Sequence, residues 1–134
     1  MKKAVQRISH IGIAVRSIAA SRPFYEETLG LPCEGEEEVP TQQVRVAFFR
    51  VGEVRIELLE PLGEAGSMAR FLEKRGPGVH HIAYAVEDLA ARLAELREEG
   101  LRLVDEKPRP GAHGATIAFL HPKDTGGVLT ELCE

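Results

Sequence analysis

"ISHIGIAVRSIAAS" (8–21) returns later in the chain as "VHHIAYAVEDLAAR" (79–92). When the two stretches are aligned, His10 falls on His81, and most of the apolar residues that follow each histidine also coincide. Each copy has the alternation of a strand, followed by the start of a helix. The repeat therefore predicts an internal duplication, in which a strand and a helix begin each half of a 134-residue chain.

A second pair of matching segments closes the two halves. "VRIELLE" (54–60) aligns with "VLTELCE" (128–134), so that Glu57 falls on Glu131. In both segments the glutamate stands within an apolar run, where a carboxylate is costly unless it has a partner. Each half therefore carries one repeat-related histidine and one repeat-related glutamate.

The order of elements follows from the repeat. We expect a single domain, with module 1 at about 6–61, a bridge at 62–76 and module 2 at about 77–134. Each module is predicted to contain a strand, a helix and then further strands. The predicted strands are 6–15, 43–51, 53–60, 79–86, 101–105, 114–120 and 127–133.

Local signals predict where the helices begin. Ser17 can cap a helix that runs to about residue 28, within which Pro23 should cause a kink or a restart. Ser67 can cap a short helix in the bridge, and the helix of the second module is predicted at 88–99.

Composition narrows the choice of partners and compartment. The formal net charge is −4 and the basic residues form no stripe, so we expect neither a nucleic acid nor an anionic membrane as partner. No apolar run approaches the roughly 20 residues that span a bilayer, and no secretory segment follows Met1, which predicts a cytoplasmic protein. In a reducing compartment Cys33 and Cys133 are expected to be packing residues and not a disulfide.

Strand alternation predicts which residues face a cavity. His10 shares its face with Gly12 and Ala14, whereas the bulky residues between them face the helices. The second copy repeats the pattern, with alanines on the face of His81. Neighbouring His80 is then expected on the helix side. Small residues beside each histidine leave room for a ligand.

The two histidines and two glutamates are predicted to converge on one cation. Nitrogen and oxygen ligands without a thiolate suit a divalent metal such as cobalt, manganese, zinc, nickel or iron(II), with positions left for substrate. A single buried histidine in such a strand is more often structural than a ligand, but the duplication of both residue types favours a metal site. The predicted ligands are His10, Glu57, His81 and Glu131.

Several segments resemble the vicinal oxygen chelate superfamily, whose fold is built from paired βαβββ modules. Within it the chain is most similar to methylmalonyl-CoA epimerases, especially in "FLHPKDTGGVLTEL" (119–132) and "IELLEPLG" (56–63). The resemblance covers almost the whole chain. It implies an α+β fold in which a cupped, mostly antiparallel sheet surrounds a metal.

The resemblance also implies an activity, the exchange of configuration at the α-carbon of methylmalonyl-CoA. Proton removal then needs a base on one side of the carbon, and inversion needs an acid on the other. Glu131 and Glu57 are the expected pair of catalytic carboxylates. The family further implies one metal ion per chain, cobalt first, and a homodimer.

One departure from the family concerns the second base. Some epimerases carry Gln at the position of Glu57 and have a separate, non-ligand Glu on the preceding strand. Here that strand, 42–49, contains no Glu, and Gln43 stands where Gly is common. Glu57 is therefore the first candidate for the second base. The run 36–38 is a weaker one, because a charge run of this kind is usually a solvated loop.

Two further residues are candidates for contacts to the acyl-CoA substrate. They are Lys123 in "HPKD" and His113 in "GAHG". A surface lysine and a turn are the alternative interpretations. The glycines around them are expected to shape loops, because no strand-to-helix phosphate-binding loop surrounds them.

Other members of the superfamily remain alternatives at this point. The same ligands suit a lactoylglutathione lyase, and His10, His81 and Glu131 suit the 2-His-1-carboxylate iron site of an extradiol dioxygenase. A metal-free drug-binding protein of the same fold is disfavoured, because its cavity would be lined by aromatic residues. This chain has no Trp, five Phe and two Tyr.

Overall fold

The structure is a computed structural model that describes residues 2–134. Within that range the strands are β1 (Arg7–Ala14), β2 (Cys33–Val39), β3 (Val44–Val51), β4 (Val54–Pro61), β5 (Gly78–Ala85), β6 (Arg109–Pro110), β7 (Thr116–Leu120) and β8 (Thr130–Cys133). The α-helices are α1 (Ile18–Pro23), α2 (Ser67–Arg75) and α3 (Leu89–Glu98), with a π-helical turn at Phe24–Thr28 and 3-10 turns at Pro40–Gln42, Ala112–Gly114 and Pro122–Asp124. None of the helices in the described range is long and apolar enough to cross a membrane.

Two compact units make up the chain. The first is His10–His80, and the second combines the N-terminal residues up to Ser9 with His81–Glu134. In the first unit the strand order is β2-β3-β4-β1, with β1 parallel to β4 and the other pairs antiparallel. In the second unit the order is β5-β8-β7-β6, with β5 parallel to β8 and the rest antiparallel. The repeated order and directions confirm the paired modules and the α+β class.

The core of the first unit lies on the helix side of its strands. It packs α1 against the side chains of β3 and β4 that point away from His10, as strand alternation predicted. Its buried members are Val15, Ile18, Ala47, Phe49 and Leu58, with Ile13 and Ile56 packed at the edge.

The second unit has a corresponding core beneath α3. Leu89 and Leu93 on the helix are buried against the strands, so the predicted apolar stripe is confirmed as core. The other buried members are Val86, Ala118, Leu120 and Leu132. The small-residue face of the second unit holds a separate cluster of Ala83, Ala85, Ile117, Phe119 and Cys133.

The helix ends confirm one of the two predicted caps. Ser17 caps α1, because its Oγ accepts a hydrogen bond of 3.1 Å from the backbone N–H of Ala20. At Pro23 the α-helix gives way to the π-helical turn, as expected of a proline that removes a hydrogen-bond donor. Asp88 caps α3. For α2 the helix at 67–75 is confirmed and only the predicted cap was wrong: Gly66 is the N-cap, and Ser67 is the first helical residue.

The strand predictions need two corrections. The run 36–38, expected as a solvated loop, belongs to β2, which pairs with β3 along its whole length. Arginines on neighbouring elements pair with the outward glutamates of β2 and so make a charged strand tolerable. The predicted strand at 101–105 is instead irregular, with one isolated bridge from Leu103 to Leu120, and β6 is the edge strand beside β7.

The two serines offer a direct test of the corrected helix ends. Ser17→Ala should lower the free energy of unfolding by about 1 kcal/mol, because it removes a side-chain cap. Ser67→Ala should change it by less than about 0.5 kcal/mol, because an exposed serine inside a helix caps nothing. Chemical denaturation of both variants provides the measurement. Equal losses would contradict the assignment of Gly66 as the N-cap.

Candidate functional site

The first unit contains a buried histidine–glutamate pair. His10 on β1 and Glu57 on β4 are 5% and 3% exposed, and His10 Nδ1 lies 3.4 Å from Glu57 Oε2. The parallel register sets this contact, because it places Gly12 opposite Glu57 and so leaves the space above the glutamate open to the histidine two residues earlier.

The second unit repeats the arrangement with its own residues. His81 on β5 and Glu131 on β8 are 3% and 2% exposed, and His81 Nε2 lies 3.3 Å from Glu131 Oε1. Here too a small residue, Ala83, stands opposite the glutamate. The ring of Phe119 meets the imidazole of His81 edge-on, with 5.3 Å between the ring centroids. In each unit the repeat-related histidine and glutamate therefore lie side by side.

The two pairs differ in the charge beside them. Arg55 donates to Glu57 Oε2 through Nη2 at 3.0 Å and through Nε at 3.3 Å. The repeat-related position in the second unit is Leu129, an apolar residue. Arg55 thus compensates the negative charge of Glu57, and the position of Leu129 supplies no such cation to Glu131.

Arg55 was not among the predicted site residues. The signal was available, since a residue two positions before Glu57 in a strand must share its face. An arginine in a strand that also carries a buried glutamate is a natural partner for that glutamate.

His80 lies where the sequence predicted. It packs against Phe71 of α2, with 4.8 Å between the ring centroids, which is the helix side of the strand. His81 lies on the opposite face with Glu131. The alternation of this strand therefore places His80 on the packing face and His81 on the face of the candidate site.

Each pair offers the donors that a divalent metal prefers. An imidazole nitrogen and a carboxylate oxygen 3.3–3.4 Å apart, both withdrawn from water, can bind a cation of the first transition row or the alkaline earths. Small and apolar residues surround the second pair, so a bound ion there would interact with its ligands in a medium of low dielectric.

Lys123 and His113, the candidates for substrate contacts, lie in two turns of the second unit. Both side chains are exposed. The turn at Lys123 is held by His121, whose Nδ1 accepts the N–H of Lys123, and by Asp124, which receives two hydrogen bonds from the guanidinium of Arg102. Hydrogen bonds from Arg102 hold the pKa of Asp124 well below its usual range.

The turn at His113 has an unusual backbone. His113 has a left-handed conformation with φ of 61° and ψ of 26°, which is uncommon for non-glycine residues but less so for histidine, asparagine and aspartate than for the others. The glycine before it is required for another reason, since a Cβ on Gly111 would lie 2.7 Å from Cγ2 of Ile117. The glycines of this segment therefore shape a loop, as the sequence indicated.

Comparison with known proteins identifies the class to which this protein belongs. Residues 9–119 match the Glyoxalase/Bleomycin resistance protein/Dioxygenase superfamily. The chain belongs to this superfamily.

Its relatives narrow the assignment further. The chain is 48% identical to the uncharacterized protein YqjC of Bacillus subtilis, over 97% of this chain and 93% of that one. It is 42% identical to the ethylmalonyl-CoA/methylmalonyl-CoA epimerase of Cereibacter sphaeroides, over 96% and 97% of the two chains. A solved methylmalonyl-CoA epimerase in complex with methylmalonyl-CoA and NH4+ superposes with a TM-score of 0.93 at 40% identity, covering 97% of this chain and 94% of that one. These relatives place the chain among the epimerases of the superfamily, which are isomerases.

Adjacent histidines provide a test of the site that does not depend on activity. His81→Asn should weaken the binding of added Co²⁺ by at least about tenfold, because loss of an outer-shell partner alone typically costs that much. His80→Asn should leave binding within about twofold of the wild type, since His80 packs on the helix side. Titration calorimetry with Co²⁺ would measure both. The opposite ranking would show that the strand register is wrong by one residue.

Proposed function

We propose that the protein catalyses the metal-dependent epimerisation of methylmalonyl-CoA at its α-carbon. The observation that carries this proposal is the buried histidine–glutamate pair, present once in each unit through duplication. The substrate is inferred from the relatives whose names include methylmalonyl-CoA. We further propose that the protein is cytoplasmic and a homodimer, and that it binds neither nucleic acid nor membrane.

The four paired residues are the proposed ligands of one divalent ion per chain. Cobalt is the first choice, and manganese, zinc and nickel suit the same nitrogen and oxygen donors. When bound, such an ion supplies Lewis-acid stabilisation of the negative charge that develops on the substrate, worth several kcal/mol. The proposed ligands are His10, Glu57, His81 and Glu131.

The proton transfer is assigned to carboxylates. Glu131 takes the α-proton from one face of the carbon, and its buried position in an apolar cluster keeps competing water away from the reaction. A second carboxylate must deliver a proton to the opposite face. Glu57 is the candidate from the sequence, although its ion pair with Arg55 favours the role of ligand.

The coenzyme A portion of the substrate is assigned to the exposed turns of the second unit. The ammonium of Lys123 and the imidazole of His113 are both accessible to a large anionic ligand. The Arg102–Asp124 ion pair fixes the turn that carries Lys123, so that the lysine extends from a defined backbone. Both residues are proposed substrate contacts.

Turnover by the purified protein tests the function directly. Each methylmalonyl-CoA epimer should be converted to the other, chelation should abolish the conversion, and added Co²⁺ should restore it. Epimerisation followed on a chiral readout, with and without metal, is the measurement. Full activity in a sample shown to be metal-free would contradict the metal dependence. Turnover of the glutathione hemithioacetal of methylglyoxal instead would favour a lactoylglutathione lyase.

The roles of the two paired glutamates are separable by hydrogen exchange. Glu131→Gln should lose epimerisation by about 10²-fold or more, because a glutamine cannot act as a base. It should still exchange the α-proton of one epimer with deuterium from solvent, through the carboxylate on the other face. Glu57→Gln should mainly weaken metal binding if Glu57 is a ligand only. NMR detection of deuterium incorporation and metal analysis together give the result, and loss of exchange for both epimers in metal-loaded Glu131→Gln would contradict two-base transfer.

A further inference from the structure

The side chain of Phe119 adjoins both residues of the histidine–glutamate pair in the second unit. Phe119 on β7 is the antiparallel partner of Glu131 on β8, and residues directly opposite in such a pair share a face. The rings of Phe119 and His81 are nearly perpendicular, at 83°, with 5.3 Å between their centroids. Rings at this separation attract each other through their quadrupoles and prefer such an orientation. The position of Phe119 therefore affects the direction in which the imidazole of His81 points.

The backbone of Phe119 is held on its other side by the irregular segment around Asp105. The N–H of Phe119 donates to Oδ2 of Asp105 at 2.9 Å. Its carbonyl accepts the N–H groups of Val104 and Asp105 at 2.9 and 3.2 Å. The carboxylate of Asp105 thus supplies the acceptor that the carbonyl of a regular strand would supply. Phe119 is fixed between β8 and this segment.

Arg109 on β6 connects the same carboxylate to the ring. Arg109 Nε lies 3.0 Å from Asp105 Oδ1, and the guanidinium carbon lies 5.7 Å from the centroid of the Phe119 ring. The second distance is within the range of a cation–π interaction, which strengthens when the groups are withdrawn from water. The side chains of Arg109 and Asp105 are 30% and 16% exposed, so both are partly withdrawn. The ion pair and the ring contact together restrain Phe119.

A second ion pair of the same segment lies nearer the surface. Arg97 on α3 donates to Oε2 of Glu106 at 2.9 Å and to its backbone carbonyl at 2.7 Å. The two side chains are 50% and 66% exposed, so solvent screens their attraction. This pair ties the segment to the helix, whereas the Arg109–Asp105 pair ties it to the ring beside His81.

We propose that Arg109 is a positioning residue of the metal site. With Asp105 it holds Phe119 against His81, so that imidazole Nε2 stays beside Oε1 of Glu131, 3.3 Å away. This assignment rests on the proposed function, because it takes His81 and Glu131 as metal ligands. A ligand that is already oriented loses less conformational freedom when an ion binds, and the affinity for the ion rises accordingly. All five residues of this network belong to the second unit.

The test is a double-mutant cycle on Co²⁺ binding, measured by titration calorimetry on the full chain. Arg109→Gln should weaken binding by about three- to tenfold, less than the loss of a direct partner of a ligand typically costs. Arg109→Lys should stay within about twofold of the wild type, because an ammonium keeps a cation over the ring. Phe119→Leu should weaken binding at least as much as Arg109→Gln. Adding Arg109→Gln to Phe119→Leu should change it by less than about twofold, since the arginine acts through the ring.

Two matched controls separate positioning from a general loss of stability. Arg97→Gln breaks the exposed ion pair of the same segment, and Ile117→Val shortens another buried residue of the cluster that contains Phe119. Both should bind Co²⁺ within about twofold of the wild type, because neither restrains the ring beside His81. The visible absorption of bound Co²⁺, which depends on ligand geometry, should change in Arg109→Gln and Phe119→Leu and stay unchanged in both controls.

A further variant keeps the test decisive if Arg109→Gln folds poorly. Asp105→Asn retains an oxygen for the N–H of Phe119 but removes the charge that holds Arg109, so it should also weaken Co²⁺ binding. Wild-type affinity in Arg109→Gln and Asp105→Asn, or fully additive losses in the double variant, would overturn the positioning role while leaving the proposed function intact. A wild-type protein that epimerises methylmalonyl-CoA but binds no Co²⁺ would overturn the metal site and this inference with it.

Discussion

Burying a carboxylate inside a β-sheet protein is the constraint on which the rest of the structure depends. Removing an ionised glutamate from water costs several kcal/mol unless polar partners compensate it. The chain meets that cost twice, by setting a histidine on a parallel neighbouring strand within 3.3–3.4 Å of the glutamate. Each unit therefore needs a parallel strand pair, and a parallel pair needs a long connection that passes through a helix and further strands.

Much of the fold could be predicted from the sequence, because the duplication allows each half of the chain to be compared with the other. Aligning His10 with His81 predicted, for one strand in each half, which side chains face the helices. The structure confirms this, because the side chains opposite the two histidines pack against α1 and α3. The path of β2 was not foreseen, because it depends on cross-strand register and on ion pairs between distant segments, which local periodicity does not encode. The pairing of Glu57 with Arg55 was missed although their two-residue spacing in one strand indicated it. The cap of α2 was mispredicted for a different reason: Ser67 is a residue type that often caps helices, but here it is the first residue of the helix and the backbone turns at Gly66.

The two halves have diverged while keeping their framework. Strand order, strand direction and the small residue opposite each glutamate are shared, whereas Arg55 and Leu129 give the two carboxylates different electrical surroundings. Reactions that invert a carbon need unlike groups on its two faces at any instant, one protonated and one not. Duplication followed by unequal substitution has thus given two carboxylates of common origin different surroundings.

The short connection between β2 and β3 has a consequence for how this protein can change over generations. Four residues join Val39 to its partner Val44, and the left-handed backbone of Gln43 closes the turn. Because strand faces alternate, inserting or deleting one residue between this turn and the bulge at Gly35 would turn Glu37 away from the face of Glu57 and bring a neighbouring glutamate onto it. This segment should therefore tolerate substitutions far better than insertions or deletions. Family members are expected to differ here in residue identity and not in segment length.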